Sequence, residues 1–168
     1  MSTSATTEVS RSIAAPRDKI YRAFVDKDAV ATWLPPGEMK GVVHLFEACQ
    51  GGAIRMSLVY PEDDAAARGK TTAKADTFHG RFVRLIPGKL VVWATQFEST
   101  DPSFAGEMVV STTLESESQQ EDKEQGFGKA QATRVTIRCE DIPRGISPAD
   151  NEAGCRSSLQ KLAAFVER

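Results

Sequence analysis

Two histidines, His44 and His79, and three cysteines, Cys49, Cys139 and Cys155, are the side chains of this sequence best suited to acid–base, nucleophilic or metal chemistry near neutral pH. The cysteines are odd in number and widely spaced, with no CxxC. A structural zinc site wants four ligands in closely spaced pairs, so no metal site is expected. His79 is the strongest acid–base candidate. In an alternating run it shares a face with Arg81, Val83 and Leu85, opposite Phe78, Gly80 and Phe82, and the alternation does not decide which face looks inward. Without a partner fixed beside it, such a histidine reads as a hydrogen-bonded or surface residue before it reads as a general base, and His44 reads the same way. Cys155 falls on the apolar stripe of a C-terminal helix with no basic neighbour placed to make a thiolate, so it packs as a small hydrophobe.

No GxSxG elbow and no glycine-rich phosphate loop ahead of a helix is present. Gly51-Gly52 leads from one strand into another and is a turn. The expected site is therefore apolar, with no catalytic residue and no cofactor. Trp33, Met56, Tyr60, Phe78, Trp93 and Phe97, with Cys155 and Leu159 of the last helix, are the candidate cavity residues, although each taken singly serves equally well as core. Arg55 and His79 are the polar groups that would orient a ligand if their faces turn inward.

The elements that must position these residues follow from periodicity and punctuation. Residues 7–13 alternate as a first strand, with Val9 and Ile13 on one face. Pro16 suits the first turn of a short helix striped by Ile20, Ala23 and Phe24. Asp26 or Asp28 caps a second short helix carrying Val30, Trp33 and Leu34, which Pro35-Pro36-Gly37 ends. Strands are expected at 41–48, 53–60, 77–86, 90–98, 107–115 and 131–140, with a turn at Pro87-Gly88. A polar loop spans 61–74. A long hairpin loop spans 116–129, and its charged run 119–125 reads as solvated surface. Ser147-Pro148-Ala149-Asp150 is an N-cap, a first-turn proline and an early acid. The helix after it buries Cys155, Leu159, Leu162 and Val166, with Ala163 and Phe165 beside the stripe.

One strand, two short helices, a succession of antiparallel strands and one long helix make an α+β domain, a curved sheet wrapped around the C-terminal helix. Such a sheet cannot be packed solid by side chains alone, so an internal cavity is expected. The 168 residues suit one domain, placed at 7–168 with residues 1–6 disordered. A net charge of −2 argues against a nucleic-acid partner. Residues 1–7 do not read as a signal peptide, and no apolar run approaches the ~20 residues of a membrane span. With three unpaired cysteines, a cytoplasmic protein is expected.

The order of these elements carries further words. They are Ile13-Ala14-Ala15-Pro16 through Ile20-Tyr21-Arg22-Ala23-Phe24, Trp33-Leu34-Pro35, Gly51-Gly52, His79-Gly80-Arg81-Phe82 and Leu90-Val91-Val92-Trp93. The last is Asn151-Glu152-Ala153-Gly154-Cys155 through Leu159-Gln160-Lys161-Leu162-Ala163. Across residues 7–167 the chain resembles the SRPBCC, or START-like, helix-grip superfamily, and within it the domain of activators of heat-shock-protein ATPases. Relatives commonly carry tryptophan after the glycine of the last helix, where Cys155 stands here, which implies a differently shaped pocket. The resemblance implies a helix-grip fold and leaves three functions open. The chain would be a non-catalytic binder of a small hydrophobic or aromatic molecule, a polyketide cyclase or dehydrase-like enzyme acting by orientation, or a protein-interaction module acting on a chaperone. Open sheet edges leave room for a homodimer.

Overall fold

In the computed structural model, which describes residues 4–62, 74–117 and 131–167, seven strands form one antiparallel sheet in the order β1-β7-β6-β5-β4-β3-β2. The strands are β1 (Ala5–Ile13), β2 (Lys40–Phe46), β3 (Ala53–Val59), β4 (Ala75–Ile86), β5 (Leu90–Phe97), β6 (Met108–Glu117) and β7 (Ala132–Ile142). Helices α1 (Arg17–Phe24) and α2 (Lys27–Trp33) lie between β1 and β2, and α3 (Pro148–Val166) follows β7. This is the curved antiparallel sheet with a C-terminal helix and two short helices that the sequence pattern predicts. The first strand begins two residues before residue 7, since Ala5 already pairs with Ile142. The fourth begins at Ala75, and β6 and β7 run on to Glu117 and Ile142. The charged run 119–125 and most of the 61–74 loop lie outside the described residues.

Local chemistry explains the helix starts. Asp26, not Asp28, caps α2: its carboxylate accepts from the backbone N–H groups of Asp28 and Ala29, at 2.9 and 3.0 Å. Ser147 does the same for α3, accepting from the Asp150 N–H at 3.0 Å, with Pro148 in the first turn. Gly88 closes the β4–β5 turn at φ +72°, where a side chain would be strained.

The inner face of the sheet meets α3 through Leu159, Leu162, Ala163 and Val166, all buried. Phe24 and Trp33 lie edge to face at 4.6 Å, and Phe82 and Trp93 at 5.9 Å. Each such side chain contributes roughly 1.5–3 kcal/mol by leaving water. The Trp33 indole N–H donates to the Ala23 carbonyl at 2.8 Å and so fixes α2 against α1. A register shift between Phe82 and Arg84 interrupts the alternation of β4. Phe78 and Phe82 point inward, Val83 is left exposed, and Leu85 returns to the core. Four residues on one face, as the alternation alone suggested, are thus divided between two environments.

Candidate ligand cavity

Between the inner face of the sheet and α3 lies a cavity of about 430 Å³. That is within the range of small-molecule sites, about 300–1,000 Å³. Each wall comes from a different element. Strands β3 to β5 supply Leu58, Phe78, Trp93, Thr95 and Phe97, while β6 and β7 supply Met108, Val110, Thr112, Ile137 and Cys139. Phe24 and Trp33 close one end, and the segment after α2 adds Leu34, Pro36 and Met39. On α3, Asn151, Gly154, Cys155 and Ser158 face the cavity. Alternation along the strands explains the composition: the inward positions are aromatic, β-branched or sulfur-bearing, so the wall is predominantly apolar.

Of the candidates read from sequence, Trp33, Tyr60, Phe78, Trp93, Phe97 and Cys155 stand on this wall. Met56 and Leu159 do not. Both are buried, at 0% and 1% exposure, and fill the solid part of the core. Arg55 and His79 are on the other side of the sheet, and their expected role as orienting groups is corrected here. They are direct cross-strand partners and project outward, where both contact Glu98. Arg55 makes a forked pair with it, Nε to Oε2 at 2.7 Å and Nη2 to Oε1 at 2.9 Å, and His79 Nδ1 lies 3.3 Å from Oε2. The Arg55 hydrogen bonds hold the Glu98 carboxyl below the ordinary glutamate range; burial opposes them, and His79 adds a lesser favourable share. His44 Nε2 meets the Ser57 hydroxyl at 2.8 Å. That hydroxyl also bonds Thr77 Oγ1 at 2.7 Å, so the contact joins β2, β3 and β4 outside the cavity instead of arming a nucleophile.

Several polar groups on the wall went unnoticed in the sequence. Asp76, 3% exposed, accepts from the Tyr60 phenol at 3.3 Å. Thr95 and Thr112 bring buried hydroxyls. Under α3, Asn151 Oδ1 accepts from Thr7 Oγ1 at 2.5 Å, and Cys155 Sγ lies 3.9 Å from that same oxygen and 3.9 Å from Cys139 Sγ. The Cys155 side chain, and after it Asn151 and Thr7, favour the Cys139 thiolate while burial opposes it, so the Cys139 thiol sits below its ordinary range. Cys155 is pushed far up, first by its contact with Cys139 and then by burial. The shared contact thus acts in opposite directions on the two thiols, favouring the thiolate at Cys139 over that at Cys155. Alternation in β6 and β7 is the signal that could have marked Val110, Thr112, Ile137 and Cys139 as one inward set. Nothing local marks Asn151.

The segment after α2 is tied to α3 by three side chains. Ser158 Oγ donates to the Leu34 carbonyl at 2.6 Å, and Ser157 Oγ accepts from the Gly37 N–H at 2.7 Å. Lys161 Nζ donates to the carbonyls of Pro35 and Gly37. Partial burial brings that ammonium below the usual lysine range. Among the described residues no group of three or more His, Cys, Asp or Glu could hold a metal ion, and no helix is long and apolar enough to cross a membrane.

A curved antiparallel sheet gripping a C-terminal helix, with two short helices at one end and a cavity between, defines a helix-grip protein of the SRPBCC type. Residues 14–167 match the family described as activator of Hsp90 ATPase homolog 1-like protein, and the chain belongs to that family. Solved structures agree in fold. A protein of Chromobacterium violaceum is 29% identical with TM-score 0.75, over 97% of each chain. A protein of Arthrobacter aurescens is 13% identical with TM-score 0.73, over 96% of this chain and 86% of its own. One from Rhodobacter sphaeroides is 14% identical with TM-score 0.70, over 96% and 91%. No curated protein matches the chain in sequence.

Proposed function

We propose that this protein binds one small hydrophobic or aromatic molecule in the cavity between the sheet and α3, and does so without catalysing its conversion. The carrying observation is the cavity itself, about 430 Å³ with aromatic side chains on several sides. A void of that size lined by apolar groups forfeits dispersion contacts unless something fills it, and an apolar guest restores them. The polar wall groups support orientation more than chemistry. The Asp76 carboxylate meets a phenol, and the threonine hydroxyls are distributed around the wall with no histidine among them. A general base paired with a nucleophile, the usual sign of a reaction, is absent from the described wall. The two histidines and the forked Arg55–Glu98 pair all lie outside it.

Native mass spectrometry of freshly purified protein against its denatured mass tests this reading. A reproducible adduct of small-molecule size, lost on denaturation, is expected. Turnover of an added aromatic substrate that is abolished by Asp76→Asn would replace the binding reading with an enzymatic one.

A further inference from the structure

Cys139 of β7 and Cys155 of α3 put two reduced thiols 3.9 Å apart on the cavity wall. A disulfide needs its sulfurs at about 2.05 Å. Closing that gap asks for less than 2 Å of sulfur movement. Two polar side chains stand beside the pair. Thr7 and Asn151 form a hydrogen-bonded pair beside the sulfurs, and Asn151 Oδ1, which accepts from Thr7, is also within reach of Cys155 Sγ. Cys139 itself is only 2% exposed, so bulk oxidants reach it poorly and a reagent must come through the apolar cavity. Cys49, the third thiol, is exposed and does not line this cavity.

We propose that Cys139 and Cys155 are a redox-active dithiol whose oxidant is a small apolar organic hydroperoxide admitted by the cavity. The Cys139 thiolate attacks the terminal oxygen of ROOH. The S–O bond forms as the O–O bond breaks, and the alkoxide leaves as ROH after taking up the proton released by Cys139. Cys155 then attacks the sulfur of the Cys139 sulfenic acid. The S–S bond forms, the S–O bond breaks, and hydroxide departs with the Cys155 proton as water. Two thiols and one hydroperoxide thus give one disulfide, one alcohol and one water. The bond ties α3 to β7 across the cavity wall, and regeneration falls to an external thiol such as glutathione. The choice of oxidant rests on the cavity admitting apolar molecules; the dithiol itself rests only on the two sulfurs.

The test uses the full chain carrying Cys49→Ser, which removes the exposed thiol and leaves the pair intact. One equivalent of cumene hydroperoxide or of hydrogen peroxide is added, and peptide mapping and intact mass follow the thiols. A Cys139–Cys155 disulfide is expected with cumene hydroperoxide. It should form faster than with hydrogen peroxide by on the order of tenfold, because burial of the aryl group is binding energy that hydrogen peroxide lacks. In the Cys49→Ser/Cys155→Ser protein the reaction should stop at a Cys139 sulfenic acid that dimedone traps. Equal rates for the two peroxides would overturn the assigned oxidant, and the apolar-entry reading with it. Failure of both to join Cys139 to Cys155 would overturn the dithiol while leaving the cavity reading intact.

Discussion

The Ser158 hydroxyl donates to the Leu34 carbonyl at 2.6 Å, joining the middle of α3 to the end of α2 at a point where both elements border the cavity. Ser158 is 6% exposed, so bulk water has little access to that bond. Ser158→Ala should cost about 1–3 kcal/mol, the penalty for stranding a buried acceptor. The check is urea unfolding, with the midpoint lowered and the slope unchanged. An unchanged midpoint would mean that the tie between α2 and α3 adds nothing.

Gly154 is a glycine inside α3 with nothing within 4 Å of where a Cβ would stand. The methyl group of Gly154→Ala would therefore meet open space. The substitution should stabilise the protein by about 0.5–1 kcal/mol through reduced backbone entropy in the unfolded chain. Thermal unfolding checks this, and a lowered melting temperature would show that the position tolerates no side chain.

Much of the architecture was legible because its causes are local. Strand alternation, the Ser147 cap, a cap for α2 at Asp26 or Asp28 and the Pro35-Pro36-Gly37 stop act within a few residues. The direction of His79 was not legible, because β4 carries apolar residues on both faces, and Arg55 of β3 shares the face of its cross-strand partner His79. The sequence also mistook Met56 and Leu159 for wall residues. Inward-facing describes solid core and cavity lining alike, and only the spacing between sheet and helix tells them apart. Cys139 and Cys155 are separated by 16 residues, and their meeting depends on how α3 crosses β7. Asn151 joins them by the same tertiary accident.

Because Arg55 and His79 project outward, Arg55→Ala and His79→Ala should leave the affinity of the cavity for an apolar probe unchanged. Side-by-side titrations of the two variants and the parent check this. A severalfold loss of affinity in either would place those side chains in contact with the ligand after all.

The Arg55–Glu98 pair sets a pH dependence whose sign is fixed. Glu98 is held below its unfolded value chiefly by Arg55. Its contribution to stability is therefore present above the unfolded glutamate pKa and lost as pH falls through the lowered folded value. Both side chains are partly exposed, so the effect is small and salt-sensitive. Melting temperatures of the parent and Arg55→Ala should differ slightly at neutral pH and low salt. They should converge in acid and in high salt, and a difference that grows in acid would reverse the assignment.

The most direct test of the cavity as a binding site is an equilibrium titration with N-phenyl-1-naphthylamine, a neutral probe that fluoresces when shielded from water. It would be run on the parent protein and on Val110→Trp, in which an indole would project from the β6 wall into the cavity. The expected result is saturable binding of one probe per chain with Kd on the order of 1–10 μM, equivalent to about 7–8 kcal/mol. Affinity should fall at least about tenfold in Val110→Trp, with the cooperative unfolding of that variant retained. No saturable binding in the parent, or equal affinity in a folded Val110→Trp, would contradict the account.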